Sequence, residues 1–435
     1  MRTLPAADPP AEQPRTVPDG ARTAAAPESS QPRPAAPARQ GWPGQELLTT
    51  PETAQVLHAV WSGDPAVLVP SPPGAGKTRL VTLLAAALSD RAGMRVGIAA
   101  QTRAQAVELA RRAAAPGVDA VLMWSRSQAA PASGGTPPVS GNRIRFPAQG
   151  GGVVIGTTAR WLFCDPHILY CDIMLIDEAW QATYADAGAL GAFAGQVVCV
   201  GDPGQIAPVV TGAVSRWDRD PHGPHIPAPD ALRAAHEDAL TIVPLPHTWR
   251  LGPATTALVQ PAYYPHLPFG SKRPAEHVAG PAGPLPEVTH RPVAAPGGPD
   301  DPLLTAACAA RVRELADGHQ LHTAAGIRPL ASADIAVVAP HVSQASAIRA
   351  LLADMPDVLT GTANQMQGLE RAAVVTLHPL AGYREAAGFS ADPGRACVML
   401  TRHRAHLTVI TDPLAARADA AGTTLLSRLQ GTPQV

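Results

Sequence analysis

The stretch Ser71-Pro72-Pro73-Gly74-Ala75-Gly76-Lys77-Thr78 holds the clearest chemistry in this chain. An apolar run, Ala66 to Val69, leads in, and a helix-like run, Arg79 to Ser89, leads out. Strand, glycine-bearing loop, Lys-Thr and helix together cradle nucleotide phosphates, because loop and helix N-terminus turn backbone N–H groups toward phosphate oxygens. Gly74 and Gly76 let that backbone approach with no Cβ in the way. Lys77 is placed to reach the β- and γ-phosphates, and the Thr78 hydroxyl to bind Mg²⁺. The pattern departs from the usual one at its first position, where Ser71 replaces Gly. A chance Gly-x-Gly-Lys-Thr on an ordinary loop would not explain the flanking strand and helix.

Two further strand ends carry polar chemistry. Met174-Leu175-Ile176-Asp177-Glu178 is an apolar run closed by two carboxylates. Ligands gather at the carboxyl ends of parallel strands, so both acids point at the nucleotide. Asp177 is expected to hold Mg²⁺ through its water shell, and Glu178 to orient and deprotonate the attacking water. Val200-Gly201-Asp202-Pro203-Gly204-Gln205 ends a second strand in a tight turn. The Gln205 amide, which both donates and accepts, can sense a γ-phosphate there. A plain Gly-Asp-Pro-Gly turn is equally good as local structure, so spacing alone leaves this assignment open.

These loops need elements to hold them. Strand-like runs fall at 95–100, 153–157, 172–176 and 196–200, mostly apolar on both faces, as strands covered by helices on both sides require. A helical stretch, Arg103 to Ala114, and a Pro/Gly/Ser-rich surface loop, Ser125 to Gly152, lie between the first two. Gln45 to Ser62 reads as an amphipathic helix, capped by Thr50 or Thr53 and facing inward through Val56, Leu57, Val60 and Trp61. Residues 45–212 thus form one α/β domain. Residues 213–240 read as linker, and 265–300 as a Pro/Gly-rich insert. A second α/β unit, 241–425, carries strands at 334–339, 372–377 and 406–411 and a helix from Ser343 to Ala353. Residues 1–44 and 426–435 are expected to be tails, the first too poor in large apolar side chains to offset its ordering entropy.

The length of 435 residues suits two or three domains, and a net charge of −1 excludes a global positive field. Any nucleic-acid contact must therefore be local, in a groove between domains. The five cysteines form no C-x-x-C pair, and Cys164, His167 and Cys171 lack a fourth neighbour, so buried or incidental thiols in a reducing compartment are expected rather than zinc. No apolar run approaches the ~18 residues that span a bilayer, which makes a soluble cytoplasmic protein the expectation.

In sequence, Gly201 to Pro208 resembles the third motif of superfamily 1 helicases in the form typical of their 5′→3′ branch. The other motifs follow in that family's order. Gln55 resembles the adenine-reading glutamine ahead of the phosphate loop. Ala99-Ala100-Gln101-Thr102 and Val154 to Thr158 resemble strand ends that touch the nucleic-acid backbone. Leu245-Pro246-His247-Thr248-Trp249-Arg250 resembles the segment whose arginine meets the γ-phosphate, with Trp249 in place of a commoner Tyr. Val338 to His341 with Gln344, Thr362 to Glu370, and Arg395 through Arg402 to Arg404 resemble the fourth, fifth and sixth motifs.

The resemblance covers about residues 45–412 and is nearest the RNA-surveillance and replication-associated helicases. It implies two tandem RecA-like P-loop domains with parallel sheets and an ATP cleft between them. ATP and Mg²⁺ are the implied cofactors. The implied nucleotide contacts are Gln55, Pro73, Gly74, Ala75, Gly76, Lys77, Thr78, Arg79 and Glu370, with Thr78 and Asp177 on the metal. Lys77, Glu178, Gln205, Arg250 and Arg402 are the implied catalytic set, Arg402 as an arginine finger. Gln101, Thr102, Thr158, His341, Thr362, Gln367 and Gly368 are implied to contact nucleic acid or couple it to the nucleotide. The implied partner is single-stranded DNA or RNA, with a recruiting protein possible and a monomer expected. Two other readings compete: a remodelling ATPase that does not unwind, and a P-loop kinase or transferase. The kinase reading leaves Gln205, Gln367 to Glu370 and Arg402 unexplained.

Overall fold

The computed structural model describes residues 41–115, 117–146, 151–385, 392–413, 429 and 432–434. The expected N-terminal tail lies outside them up to residue 40. Packed structure reaches back to Trp42, which lies against the first core.

Eight parallel strands form the first sheet: β1 (Ala66–Pro70), β2 (Arg95–Ala100), β3 (Ala120–Met123), β4 (Pro138–Val139), β5 (Gly152–Thr157), β6 (Cys171–Asp177), β7 (Ala194–Gly201) and β8 (Leu240–Ile242). Their order is β4-β3-β5-β2-β6-β7-β1-β8. Successive side chains of a strand point to opposite faces, and both faces here are apolar. Val67 and Val69 join one core with Leu80, Leu84 and Leu88 of the helix α2 (Lys77–Ala92). Leu68 joins the opposite core with Met174, Ile176, Trp161 and Phe193. On the first face lie also α1 (Pro51–Trp61), capped by Thr50 with Pro51 at its first position, and α3 (Arg103–Ala114). A reciprocal capping box between Thr102 and Gln105 starts α3.

The second sheet has five parallel strands in the order Val288–Pro292, His403–Thr411, Arg371–Leu377, Ile335–Ala339, Leu359–Thr362. Val337 and Val375 face one core; Val338, Val374 and Val409 face the other. A four-stranded antiparallel sheet accompanies it, in the order Gly283–Pro284, His277–Gly280, Gln320–Thr323, Gly326–Pro329.

The central strands of both sheets stand where the sequence put them, within a few residues, while Ala120–Met123 and Leu359–Thr362 were not read as strands. Three expectations of loop are replaced by structure. Residues 213–240 contain the helix Ala228–His236 and begin β8, which pairs with β1. Residues 265–300 contain Val288–Pro292, an edge strand of the second sheet, and two strands of the antiparallel sheet. The 125–152 excursion supplies β4 and buries Ser133, Thr136 and Ile144, with Thr136 Oγ1 donating to Ala110 O at 2.8 Å. These runs are short and rich in Thr, His and Pro, and they fold because neighbours accept their polar groups. The expected C-terminal tail likewise includes Leu429, buried, and Thr432, hydrogen-bonded to His290 at 3.0 Å.

Cys171, Cys199, Cys308 and Cys397 are buried and Cys164 half-buried, all of them free. No metal-holding group of His, Cys, Asp or Glu exists among the described residues. No described helix is long and apolar enough to cross a membrane.

Two histidines under the second sheet set a pH limit on stability. Burial lowers His378 to about 4, and burial, aided by the Arg311 charge, lowers His406 to about 3. His406 Nδ1 lies 2.8 Å from Pro286 O while Arg311 lies 3.3 Å from Nε2, an arrangement suited to the neutral ring. With folded values below the unfolded one, the stabilisation is present above about pH 6.5 and is lost as pH falls. Urea midpoints are expected to drop between pH 7 and 5, with each histidine contributing up to about 1.4 kcal/mol per pH unit. A midpoint that stays flat across that range would contradict buried neutral rings.

Candidate nucleotide site in the cleft between the two sheets

The phosphate loop leaves β1 with Ser71 buried, its hydroxyl donating to Val69 O at 3.0 Å and its N–H to Gly201 O at 2.9 Å. A serine is therefore accommodated at the departing position by the backbone itself. Gly74 and Gly76 take left-handed φ of 73° and 88°, which a side chain would strain. The second half of the chain presses on this loop. Thr248 Oγ1 donates to Pro73 O at 2.6 Å and Trp249 N to Gly74 O at 2.9 Å. A Cβ at Gly74 would lie 2.3 Å from the Arg250 Cβ, so glycine is needed for this approach.

Lys77 starts α2 and points among acids, its Nζ 3.7 Å from Asp202 and 4.0 Å from Glu178. Asp177, at the end of β6, receives Thr78 Oγ1 at 3.4 Å, and the Gln101 amide donates to its backbone carbonyl at 3.3 Å. Burial and the adjacent Glu178 carboxylate push the Asp177 pKa up, against the pull of Lys77. Glu178 has φ 51°, the only positive φ at a non-glycine among the described residues. Such backbone strain is held by its surroundings and gathers at functional sites; here it turns the side chain out of the strand direction toward Lys77. Gln205 donates to Asp202 Oδ2 at 2.6 Å.

From the second half come Arg250, ion-paired with Glu370, and Arg404, which reaches Glu276 at 3.2 Å and Glu370 at 3.6 Å. Burial works against the Glu370 charge, but Arg250, Arg404 and Arg402 hold its pKa below the ordinary value. Arg402 is 2% exposed, donating to Val398 O at 3.1 Å and Thr401 Oγ1 at 3.0 Å. Burial, with the like charge of Arg250, lowers it to about 10. One cavity of about 780 Å³ is lined from both halves: by Gly74, Gly76, Lys77, Thr78, Thr102, Asp177, Glu178 and Gln205, and by Arg250, Gln367, Gly368, Glu370 and Arg402.

The donor set fits a magnesium–nucleotide complex. Mg²⁺ keeps several waters and takes one or two protein oxygens beside substrate phosphates. A threonine hydroxyl and a buried carboxylate 3.4 Å apart meet that need. Lys77 and Arg402 are buried cations facing the same cavity, and the Gln367 amide nitrogen is buried there without a partner.

The remaining candidates lie around this centre. Pro73 and Ala75 are in the loop. Arg79 is exposed on α2, and Gln55 is exposed on α1, whose inward stripe is Val56, Leu57, Ala59 and Val60; neither lines the cavity. Gln101, Thr102, Thr158, His341 and Thr362 all follow or close the carboxyl ends of parallel strands, three in the first sheet and two in the second. Thr158 is buried, its hydroxyl 3.4 Å from Ala100 O, while His341 Nε2 lies 2.9 Å from the Tyr383 hydroxyl. Several lining residues carried no sequence assignment: Gln105, Glu108 and Arg112 of α3, and Trp249, 54% exposed. The Trp in place of a commoner Tyr beside Arg250 was the available signal for the last; the α3 positions give none.

Fold and site define a P-loop protein with two parallel sheets facing one nucleotide cavity. Residues 49–221 match a family model described as an AAA domain, and residues 308–414 match a second model with the same description. Each half of the chain therefore carries an AAA-domain match. Among solved structures it is similar to the PRRSV helicase, with 18% identity, 82% of this chain and 54% of that one covered, and a TM-score of 0.42. It is also similar to the arterivirus nonstructural protein 10 helicase (17%, 82% and 61%, 0.45) and to the complex of that helicase with DNA (16%, 84% and 65%, 0.46). The chain thus spans between about half and two thirds of the length of those helicases. No curated protein matches the chain.

Proposed function

We propose that this chain is an ATP-driven nucleic-acid motor, a helicase or translocase moving 5′→3′ on single-stranded DNA or RNA. The observation that carries the reading is the shared cavity: Lys77, Thr78, Asp177, Glu178 and Gln205 from the first half meet Arg250 and Arg402 from the second. Lys77 and the loop amides bind the triphosphate; Thr78 and Asp177 would hold Mg²⁺, which would supply positive charge to the phosphates. Glu178 takes the proton of the attacking water. Gln205 orients at the γ-phosphate, while Arg250 and Arg402 spread their guanidinium forks over charge developing there. Arg250 must first leave Glu370, so the acid acts as its resting partner.

Both arginines come from the same chain, which supports a monomer as the working unit. The row of strand-end residues, Gln101, Thr102, Thr158, His341 and Thr362, is the track for the nucleic-acid backbone. Gln367 and Gly368 line the cavity and couple it to that track.

ATP turnover measured against single-stranded DNA, single-stranded RNA and duplex is the test. Single strands are expected to raise turnover several-fold, and 5′-tailed duplex to be separated in preference to 3′-tailed. A rate unchanged by every nucleic acid would sink the motor reading. Stimulated turnover with no strand separation would identify a remodelling or translocating ATPase instead.

A further inference from the structure

Asp202 is a hub that reaches into both halves of the chain. Its Oδ2 accepts from the Gln205 amide at 2.6 Å and lies 3.7 Å from Lys77 Nζ. Its Oδ1 accepts from Gly204 N at 3.0 Å and from the Tyr264 hydroxyl at 2.8 Å. Tyr264 closes the helix Pro253–Tyr263, which begins just after Arg250. The thiol of Cys397, on the helix Pro393–Leu400 that leads to Arg402, lies 3.1 Å from the same hydroxyl. Both Asp202 and Tyr264 are 2% exposed. The close approach depends on Gly204, where a Cβ would fall 2.4 Å from Tyr264 Cζ. Burial keeps the phenol protonated, its pKa well above the ordinary value, so it stays a donor.

We propose that the Tyr264 hydroxyl is a positioning group that relays occupancy of the γ-phosphate site, through Asp202, to the half of the chain bearing Arg250 and Arg402. The proposal rests on the motor reading above. With no phosphate present, Lys77 and Gln205 share one oxygen of Asp202. A triphosphate draws both toward itself, leaving the Asp202 charge to the Tyr264 hydroxyl and Gly204 N–H. The contact between halves then tightens when the arginines are needed. A hydrogen bond to a buried charge is strong enough to make this contact consequential.

Tyr264→Phe removes only the hydroxyl. The variant is expected to keep its ATP affinity and unstimulated turnover within about twofold, while turnover at saturating oligo-dT falls about tenfold, the scale of one charge-assisted hydrogen bond. Gly204→Ala keeps the hydroxyl but pushes the ring away, and should lose stimulation likewise. Cys397→Ala, which leaves the Asp202 contact intact, should stay stimulated. Wild-type stimulation in Tyr264→Phe, or an equal loss of basal and stimulated rates, overturns the relay. If the wild-type chain itself responds to no nucleic acid, the motor reading has failed and the relay falls with it.

Discussion

Arg402→Ala is expected to bind ATP and fold as before, yet hydrolyse ATP about 10³–10⁵-fold more slowly, the range associated with an arginine finger. The reason lies in how poorly this cation is served without a ligand. Arg250 and Arg404 each have a carboxylate partner, whereas among the described residues Arg402 has only a carbonyl and a hydroxyl as hydrogen-bond acceptors. Burial and the Arg250 charge lower it to about 10, so the site disfavours the charge it holds. An anion in the cavity would relieve that penalty, most of all when negative charge grows on the transferring phosphate. Truncation therefore removes transition-state stabilisation while deleting a buried cation that contributes little to the fold. Arg402→Lys should recover only part of the rate, because an ammonium keeps the charge and loses the fork. Single-turnover hydrolysis, ATP binding and a urea midpoint read the three quantities separately. Near-normal turnover in Arg402→Ala would remove the arginine from the reaction.

Glu178→Gln is expected to lower turnover by about 10²–10⁴-fold with ATP binding retained. Glutamine keeps the size and hydrogen-bonding reach of the side chain but cannot take a proton from water. The left-handed backbone at residue 178 is unchanged by the swap, so position is preserved while basicity is lost. The substitution also takes one acid, 4.0 Å away, from the neighbourhood of Lys77, which should leave that ammonium more available to phosphate. Slowed turnover with equal or tighter ATP binding is the pattern that separates a base from a scaffold residue. Weaker binding at full speed would reassign Glu178 to substrate recognition.

Much of this site was written in local sequence. Gly74-Ala75-Gly76-Lys77-Thr78 after an apolar run, and Asp177-Glu178 after another, are patterns whose function follows from strand ends and backbone N–H groups. Local chemistry is short-ranged, so a loop can be read from the residues it contains. The central strands of both sheets were legible for a related reason: buried parallel strands need continuous apolar runs, and these have them. The edge strand Val288–Pro292 was hidden because its buried Thr289 and His290 look polar until their partners are known. Thr289 Oγ1 lies 3.2 Å from the Thr408 hydroxyl and His290 Nδ1 3.0 Å from Thr432.

What the chain determines by itself is thus each half of the site, since every motif lies on one strand, loop or helix. What only the tertiary structure decided is their meeting: Thr248 to Arg250 against the phosphate loop, Tyr264 on Asp202, Glu370 on Arg250, and Gln55 left outside on α1. Those contacts join residues tens to hundreds of positions apart. They depend on how two separately packed sheets face each other, and no period or spacing within either half encodes that.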